Sequence, residues 1–396
     1  MFKKTALTIL TLLLSTPLAH SFNKSSLKLL ESPFVFQAQQ NLPPDVSYIF
    51  ADLKFDGERL QLCEFGPCPY AGLTDAPVHV DNQQVLLTSP YWELFWHFLN
   101  EFNIPMIRIG GWDPMEANKI LHTLHGKRYQ SIDGFLSDHT FQDLFETKGS
   151  PIKSINHALA LIVFTGSGSA HKRYHNLTLD HPNLIFINHY LNKIVSRKDT
   201  TNMLCKQPNL AHFKPKSKIC PTTYTPTLAQ SIINEFDTSH YLIKPLSSMR
   251  GSGIIMVTKK DLDPTLKTLF DKASSNKKSI YKAGFWLDKK QKQFIAEAYA
   301  PSKKVRFDGE LYDPTMRLIC FLAHNRGVIT IHVVGGYWKT PRYPLNKKCD
   351  LTLKHITEAG VGERRAIAPH DLKIAKRLCA DLMYNVYSTV LARSIT

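Results

Sequence analysis

Hydrophobic and polar residues change their spacing several times along the 396-residue chain, and each change predicts an element. Residues 51–72 read ADLKFDGERLQLCEFGPCPYAG, where apolar and polar residues alternate on both sides of an Asp-Gly pair, so a β-hairpin is predicted. Residues 89–103 have helical spacing behind a Ser-Pro start, and 104–111 then read as a buried strand ending in a glycine turn. Further buried strands are predicted at 159–169 and 183–190. The pattern therefore predicts a mixed α/β (α+β) protein.

The C-terminal part continues this mixture. Residues 241–257 read YLIKPLSSMRGSGIIMV, which predicts a strand, a flexible loop and a second strand that begins at Ile254. Between 372 and 390 apolar residues recur every three or four positions, which predicts a long helix. The Pro-, Lys- and Thr-rich stretch 206–226 is typical of a domain boundary.

The first 21 residues differ from the rest. Lys3 and Lys4 precede a short apolar run, and Ala19-His20-Ser21 supplies small residues before a cleavage point at Phe22. The apolar run is shorter than the roughly 20 residues of a spanning helix, and no other segment is long and apolar enough to span a membrane. We therefore expect a cleavable signal peptide and export to a periplasm or the medium, with action inside another cell as an alternative.

Charge limits the partners. The chain carries 49 Lys and Arg against 33 Asp and Glu, and two of these lysines lie in residues 1–21, so the mature net charge is 47 minus 33, or +14. Such an excess favours an anionic partner: a nucleotide, a phosphorylated metabolite, an acidic peptide, nucleic acid or an anionic membrane. The basic stretch 276–294 interleaves lysines with aromatic residues, as nucleic-acid surfaces do. A solvated β-ribbon is the favoured interpretation because no RNA-binding signature accompanies it. The seven cysteines are scattered and define no pairing.

The loop in 241–257 has the residues of a phosphate site. Lys244 places a cation at a strand end, and the serines and glycines that follow expose backbone N–H groups that can wrap phosphate oxygens. The P-loop pattern is absent because no Gly-Lys-Ser/Thr leads into a helix. An ordinary hairpin with a loose loop is the alternative, although it would not require Lys244 and Arg250 at the two ends.

This stretch resembles the phosphate-covering loop of the ATP-grasp superfamily, most closely its glutathione-synthetase-like and tubulin-tyrosine-ligase-like members. The resemblance extends over 191–396, including a QFIAEAYAP stretch similar to the strand and hinge that hold adenine. It implies ATP as a cofactor and two catalytic arginines, Arg317 and Arg342. The implied nucleotide-binding residues are Lys198, Lys244, Ser247, Ser248, Arg250, Gly251, Ser252, Gly253, Glu297 and Tyr299.

One part of the family pattern is missing at its usual place. ATP-grasp enzymes hold Mg²⁺ with an Asp and a Glu-x-Asn pair on two strands that follow a long helix, but here only LARSIT follows the helix. The hairpin in 51–72 is similar to the absent strands, with Asp52 and Glu64 as metal ligands, so the chain resembles a circularly permuted member. The family's Asn is Gly66 here. Asp52 can face Glu64 only if the loop has an odd length, and we expect a loop from Asp56 to Leu60.

The resemblance implies four segments: a signal peptide (1–21), an N-terminal segment with the permuted metal-binding hairpin (22–77), an α/β pre-ATP-grasp domain (78–190) and an ATP-grasp domain (191–396). It implies an ATP- and Mg²⁺-dependent carboxylate-amine ligase that acts through an acyl phosphate on an acidic amino acid, peptide or protein tail. Alternatives are a small-molecule kinase on the same fold, a nucleotide-binding pseudoenzyme, and a basic module that binds nucleic acid or an anionic membrane.

Overall fold

The computed structural model describes residues 32–38, 44–67, 76–80, 83–87, 106–111, 160–165, 184–191, 198–246, 251–271, 292–357 and 362–393, together with positions 91, 94, 95, 98, 194, 285 and 286. Three sequence predictions lie outside these residues: the signal peptide, the side chains of Ser247, Ser248 and Arg250, and most of the basic stretch 276–294.

Within the described residues the strands are β1 (Phe34–Gln37), β2 (Asp45–Phe55), β3 (Leu60–Pro67), β4 (Ala76–Val80), β5 (Gln83–Leu87), β6 (Met106–Gly111), β7 (Ala160–Thr165), β8 (Leu184–Phe186), β9 (Ser217–Pro221), β10 (His240–Pro245), β11 (Ile255–Thr258), β12 (Gln293–Ala298), β13 (Val305–Phe307), β14 (Glu310–Tyr312), β15 (Thr315–Asn325), β16 (Val328–Lys339) and β17 (Arg364–Ala366). The α-helices are α1 (Lys198–Leu204), α2 (Leu228–Glu235), α3 (Leu262–Phe270), α4 (Leu351–His355) and α5 (Pro369–Arg393).

The largest sheet joins the two ends of the chain. Its strands run in the order β1-β16-β15-β2-β3, with β17 beside β16, and all the pairings are antiparallel. Successive side chains of a strand point to opposite faces. On β2, Ile49, Ala51 and Leu53 pack into the core that α5 covers, whereas Asp52 and Lys54 face the other way. The N-terminal hairpin therefore completes a sheet that C-terminal strands begin.

A smaller antiparallel sheet has the order β11-β10-β12-β9. One face is apolar, with Tyr241 and Ile243 of β10 packed in a cluster that includes residues of α2 and α3. The alternate residues Leu242 and Lys244 point to the opposite face. The predicted strand-loop-strand at 241–257 is thus β10 and β11, and it presents Lys244 on the face away from the helices.

The predicted odd-length loop of the N-terminal hairpin is wrong. Phe55 pairs with Leu60, so the loop is the four residues Asp56 to Arg59, and the Asp56 carboxylate accepts hydrogen bonds from the N–H groups of Glu58 and Arg59. Asp52 nevertheless faces Glu64, because the register shifts by one residue after the Leu53–Leu62 pair. The extra residue in β3 is Cys63, and this β-bulge supplies the offset that we expected from the loop.

The remaining elements agree with the mixed α/β prediction. Strands β6, β7 and β8 form a parallel sheet at the three predicted buried segments. The long helix α5 begins at Pro369. Tyr91, Leu94, Phe95 and Phe98 are helical and buried, where helical spacing predicted them. Among the helices described, none is long and apolar enough to cross a membrane.

Candidate functional site

The two antiparallel sheets each contribute one face to a single cavity. The six-stranded sheet supplies Asp52, Glu64 and Lys339, and the four-stranded sheet supplies Lys244 and Glu297. The cavity encloses about 50 Å³, which is room for a few water molecules. A nucleotide therefore requires side chains and loops around the cavity to move apart.

Asp52 lies at the centre of a buried charge cluster. Its carboxylate accepts hydrogen bonds from Nε and Nη2 of Arg317, at 2.7 and 2.8 Å, and from Nζ of Lys339, at 2.8 Å. Burial alone would raise the pKa of Asp52, but Arg317 and Lys339 outweigh it and lower the pKa to about 2. The register explains the contact, because Asp52 of β2 is the direct partner of Arg317 on β15. Asp52 is therefore ionised and held by two cations.

Glu64 is more accessible than Asp52. Its side chain is 23% exposed, and Nζ of Lys198, the first residue of α1, lies 3.7 Å from its Oε2. Burial lowers the pKa of Lys198, although Glu64 opposes this effect. The Glu64 carboxylate is thus more open to solvent than that of Asp52, whose side chain is 3% exposed.

Glu297 joins two lysines on the opposite wall. One carboxylate oxygen accepts a hydrogen bond from Nζ of Lys244, and the other accepts a hydrogen bond from Nζ of Lys214. Burial would raise the pKa of Glu297, and the two lysines lower it below its usual value. Burial would lower the pKa of Lys244, and Glu297 raises it. Lys244 therefore stays charged although it is 4% exposed.

The sequence did not indicate Lys214. It lies in the connection between the 3-10 turn Ala211–Phe213 and β9, where no periodic pattern assigns a side chain to a face. Its neighbours Pro215 and Lys216 belong to the stretch interpreted as a boundary. A lysine next to a proline before a strand was the available signal, and it is too common to be specific.

A second polar cluster lies further along β2. Nζ of Lys54 donates to Oδ1 of Asp313 at 3.0 Å, and Oδ2 of Asp313 accepts from the Tyr299 hydroxyl and lies 2.9 Å from Nδ1 of His355. Burial raises the pKa of Tyr299, and Asp313 raises it further. Tyr299, a predicted nucleotide-binding residue, lines the cavity and belongs to a hydrogen-bond network that the sequence did not predict.

Arg342, the second predicted catalytic arginine, is not at the cavity. Strand β16 ends at Lys339, so Arg342 lies in the exposed segment beyond the sheet. Lys339 is the cation that this strand places beside Asp52. The structure thus brings Lys339, and not Arg342, together with the other residues of the cavity.

Part of the predicted phosphate loop is described. Gly251 lines the cavity with φ of 74°, Ser252 is exposed, and Gly253 has φ of 71°. Nε1 of Trp286 donates to the carbonyl of Gly253 at 2.9 Å, and a side chain at this position would overlap the Phe285 ring. Glycine is therefore required at 253 both by its positive φ and by the ring packed against it.

The donors fit one Mg²⁺ ion, and they lack the Asn that the ATP-grasp resemblance implies two residues after the Glu. Mg²⁺ usually takes one or two carboxylates beside substrate phosphate oxygens, and Asp52 and Glu64 face each other across β2 and β3. Position 66 offers no ligand, because the ring of Phe50 covers it and leaves no room for a side chain. The described residues contain no group of three or more His, Cys, Asp or Glu side chains that could hold a metal without a substrate.

The charges around the cavity leave an excess of cations. The positive side chains are Lys54, Lys198, Lys214, Lys244, Arg317 and Lys339, and the negative ones are Asp52, Glu64, Glu297 and Asp313. These ten side chains carry a net charge of six minus four, or +2. A positive excess around a cavity favours an anion such as a polyphosphate.

Comparison with known proteins gave limited likenesses. No protein-family model matches the chain, and no curated protein does. D-cycloserine synthetase DcsG is similar in structure with a TM-score of 0.36 and 9% identity, covering 72% of this chain and 82% of its own. D-alanyl-alanine synthetase A from Vibrio cholerae has a TM-score of 0.33 and 14% identity, covering 72% and 81%. The D-alanine-D-alanine ligase from Coxiella burnetii has a TM-score of 0.30 and 13% identity, and the match covers 72% of this chain and 96% of that ligase. Structural likenesses with TM-scores of 0.30 to 0.36 do not assign a function to this chain.

Proposed function

We propose that this protein is an ATP- and Mg²⁺-dependent carboxylate-amine ligase of the ATP-grasp kind whose metal-binding hairpin is circularly permuted to the N-terminal side. One observation carries the proposal: Asp52 and Glu64 face each other on one wall of a cavity whose opposite wall presents Lys244. Carboxylates for a metal and lysines for phosphates, on opposing sheets, are what a bound Mg²⁺-triphosphate requires.

Different residues of the chain bind the phosphates and stabilise the charge that develops during the reaction. Lys198 and Lys244 bind the phosphates, and the loop that ends in Gly251 to Gly253 covers them. Arg317 and Lys339 stabilise negative charge while a carboxylate oxygen of the acceptor attacks the γ-phosphorus and the bond to the bridging oxygen of ADP breaks. The nitrogen of an amine then attacks the acyl carbon, phosphate leaves with the C–O bond electrons, and the amine proton passes to solvent.

Asp52 and Glu64 would hold the Mg²⁺ ion. When bound, the ion neutralises charge on the β- and γ-phosphate oxygens. This assignment requires Asp52 to exchange contacts with Arg317 and Lys339 for contacts with the ion, and the phosphates supply the anion that both side chains can then bind.

The acceptor in this proposal is an anionic amino acid, peptide or protein tail. The cationic excess of the cavity supports it, as does the overall net charge of +16. Export behind residues 1–21 remains part of the proposal, with the reaction taking place where ATP is supplied.

A second candidate is a pseudoenzyme that binds a nucleotide without turning it over. Two observations favour it: Asp52 is already bound to Arg317 and Lys339, and Phe50 blocks any ligand at position 66. The small-molecule kinase would use the same site and pass the phosphoryl group to a hydroxyl.

The first test is the melting temperature of the protein with ATP plus Mg²⁺, with ATP plus EDTA, and in buffer. A ligand at 100 times its dissociation constant stabilises the folded state by about 2.7 kcal/mol. We expect Mg²⁺-dependent stabilisation that is lost in Glu64→Gln and kept in Glu58→Gln, an exposed acid in the turn of the same hairpin. Equal stabilisation without Mg²⁺ or without Glu64 would favour the pseudoenzyme.

Turnover separates the candidates that bind. ADP release in the presence of amino acids, acidic peptides and an amine indicates ligation when an amide forms in equal amount. ADP release with a phosphorylated hydroxyl and no amide indicates the kinase. Lys244→Ala should abolish either activity, and unchanged ATP consumption in this variant would refute the assignment of the site.

A further inference from the structure

Asp313 is an acceptor with four donors around it. Oδ1 accepts from Nζ of Lys54 at 3.0 Å and from the N–H of Ser302 at 2.9 Å, and Oδ2 accepts from the Tyr299 hydroxyl and faces Nδ1 of His355 at 2.9 Å. Burial would raise the pKa of Asp313, and Lys54 with the hydrogen bonds holds it far below its usual value. A carboxylate in this state only accepts hydrogen bonds.

The charge on Asp313 fixes the tautomer of His355. A carboxylate oxygen 2.9 Å from Nδ1 requires the ring proton to be on Nδ1, so in the neutral ring Nε2 carries a lone pair. The two nitrogens are on different edges of the imidazole, and the edge with Nδ1 is held against Asp313 and Tyr299. His355 also lines the cavity. The ring therefore offers an acceptor on the edge that is turned away from Asp313.

Next to His355 the cavity has an apolar wall and one cation, Lys54, whose Nζ donates to the carbonyl oxygen of His355 at 3.2 Å. Leu242 and Ile254 line it from the four-stranded sheet side, and Ile356 and Tyr299 are packed against the same small cluster. The charged end, with Asp52 and Glu64, lies along β2 in the other direction. An apolar wall with a few placed polar groups is the usual form of a small-molecule site, which suits the base of a nucleotide, and the charged end suits its phosphates.

We infer that His355 selects the nucleobase, with Nε2 accepting a hydrogen bond from an amino group at the 6-position of a purine. This inference rests on the proposed function. A 6-amino group donates, whereas the 6-oxo group of hypoxanthine or guanine presents a second lone pair to Nε2. Asp313 and Tyr299 are positioning residues in this arrangement, because they act through the ring of His355. The specificity of the site for adenine over 6-oxopurines thus depends on a histidine side chain.

The test compares ATP with inosine triphosphate, which has an oxo group in place of the 6-amino group. Their dissociation constants are measured by titration calorimetry at pH 8 with Mg²⁺. We expect the wild-type protein to prefer ATP by roughly 10- to 100-fold, the factor that follows from an unpaired buried acceptor. His355→Gln should bring the ratio to within about threefold, because an amide can present either its oxygen or its N–H groups.

His240→Gln is the matched control. His240 lies on another side of the same tyrosine, with ring centroids 6.4 Å apart, bonds to Ser239 and is not among the residues that line the cavity. Its ATP preference should equal that of the wild type. His355→Phe keeps a planar ring without an acceptor, and it should lose affinity for ATP while that for inosine triphosphate stays similar.

Several outcomes would overturn the inference. A wild-type protein that binds both nucleotides equally refutes it without any variant, and so does His355→Gln if it weakens both nucleotides by the same factor. Failure of the wild type to bind any nucleotide would instead refute the proposed function.

Discussion

The ring of Phe50 lies over Gly66, directly across the β2–β3 pair, and the guanidinium of Arg317 lies 3.6 Å above the centre of that ring. A glycine with an aromatic cross-strand partner is a known way to cover exposed backbone in a sheet. Arg317 gains a cation-π contact that orients it toward Asp52. The absence of a side chain at 66 is therefore part of how Arg317 is held.

An asparagine at this position should damage the protein. Gly66→Asn places a side chain inside the Phe50 ring, and overpacking of this kind costs about 1–3 kcal/mol. Urea denaturation should show this loss, and Phe50→Ala combined with Gly66→Asn should recover part of it. Gly309→Asn is the control, since nothing lies within 4 Å of a side chain there and Asn tolerates its φ of 84°. Equal stability of Gly66→Asn and the wild type would contradict this packing.

Lys339 and Arg342 should differ sharply in function. Lys339→Met keeps most of the side-chain stem and removes the charge beside Asp52, so ADP release should fall about 100-fold or more, as when a transition-state donor is removed. Arg342→Met alters an exposed side chain and should stay within about threefold of the wild type. The reverse result would restore the role that the sequence gave to Arg342.

Asp52 should make the protein sensitive to acid. Its pKa falls from 3.8 to about 2 on folding, so its contribution is present above about pH 4 and is lost as the pH falls through 2. A shift of this size corresponds to about 2 kcal/mol. The unfolding free energy of the wild type should decline between about pH 4 and pH 2, and the decline should be smaller in Asp52→Asn. The same slope in both proteins would show that other carboxylates account for it.

Glu297→Gln should be strongly destabilising. The substitution leaves Lys214 and Lys244 buried without their carboxylate, and breaking a buried pair from one side costs about 3–5 kcal/mol. Adding Lys214→Met should recover part of the loss by removing one uncompensated charge. Glu235→Gln, at an exposed helix end, should change the unfolding free energy by no more than about 0.5 kcal/mol. A small effect of Glu297→Gln would mean that the lysines find other anions or leave the interior.

Local patterns predicted the elements well and the partners poorly. Alternation around Asp56-Gly57 predicted the hairpin, and helical spacing predicted α5. Each of these signals comes from residues that are close together in the sequence. The bulge at Cys63 has no such signal. The extra residue brings Asp52 opposite Glu64, and the alternation of apolar and polar residues does not mark its position.

The site shows the same limit. Lys244 stands at a strand end with a glycine loop behind it, and the sequence therefore pointed to it. Asp313 has partners on β2, on α4 and in the segment after β12, and no spacing connects these positions. Lys339 lies at the cavity and Arg342 does not, because β16 ends at Lys339. Pairing with β15 and β17 fixes this end of the strand.

The pairing of β2 with β15 also sets the order in which the protein can be completed. Asp52 and Arg317 are separated by 265 positions in the chain, and at 5–20 residues per second the ribosome needs about 13–50 s to add them. During that time the hairpin has no neighbouring strand, and its apolar face, with Ile49 and Leu53, has no core to enter. Contacts between such distant segments form slowly. The central sheet is therefore assembled only after synthesis of β15 and β16, and until then the hairpin of β2 and β3 lacks the neighbouring strand that completes its pairing.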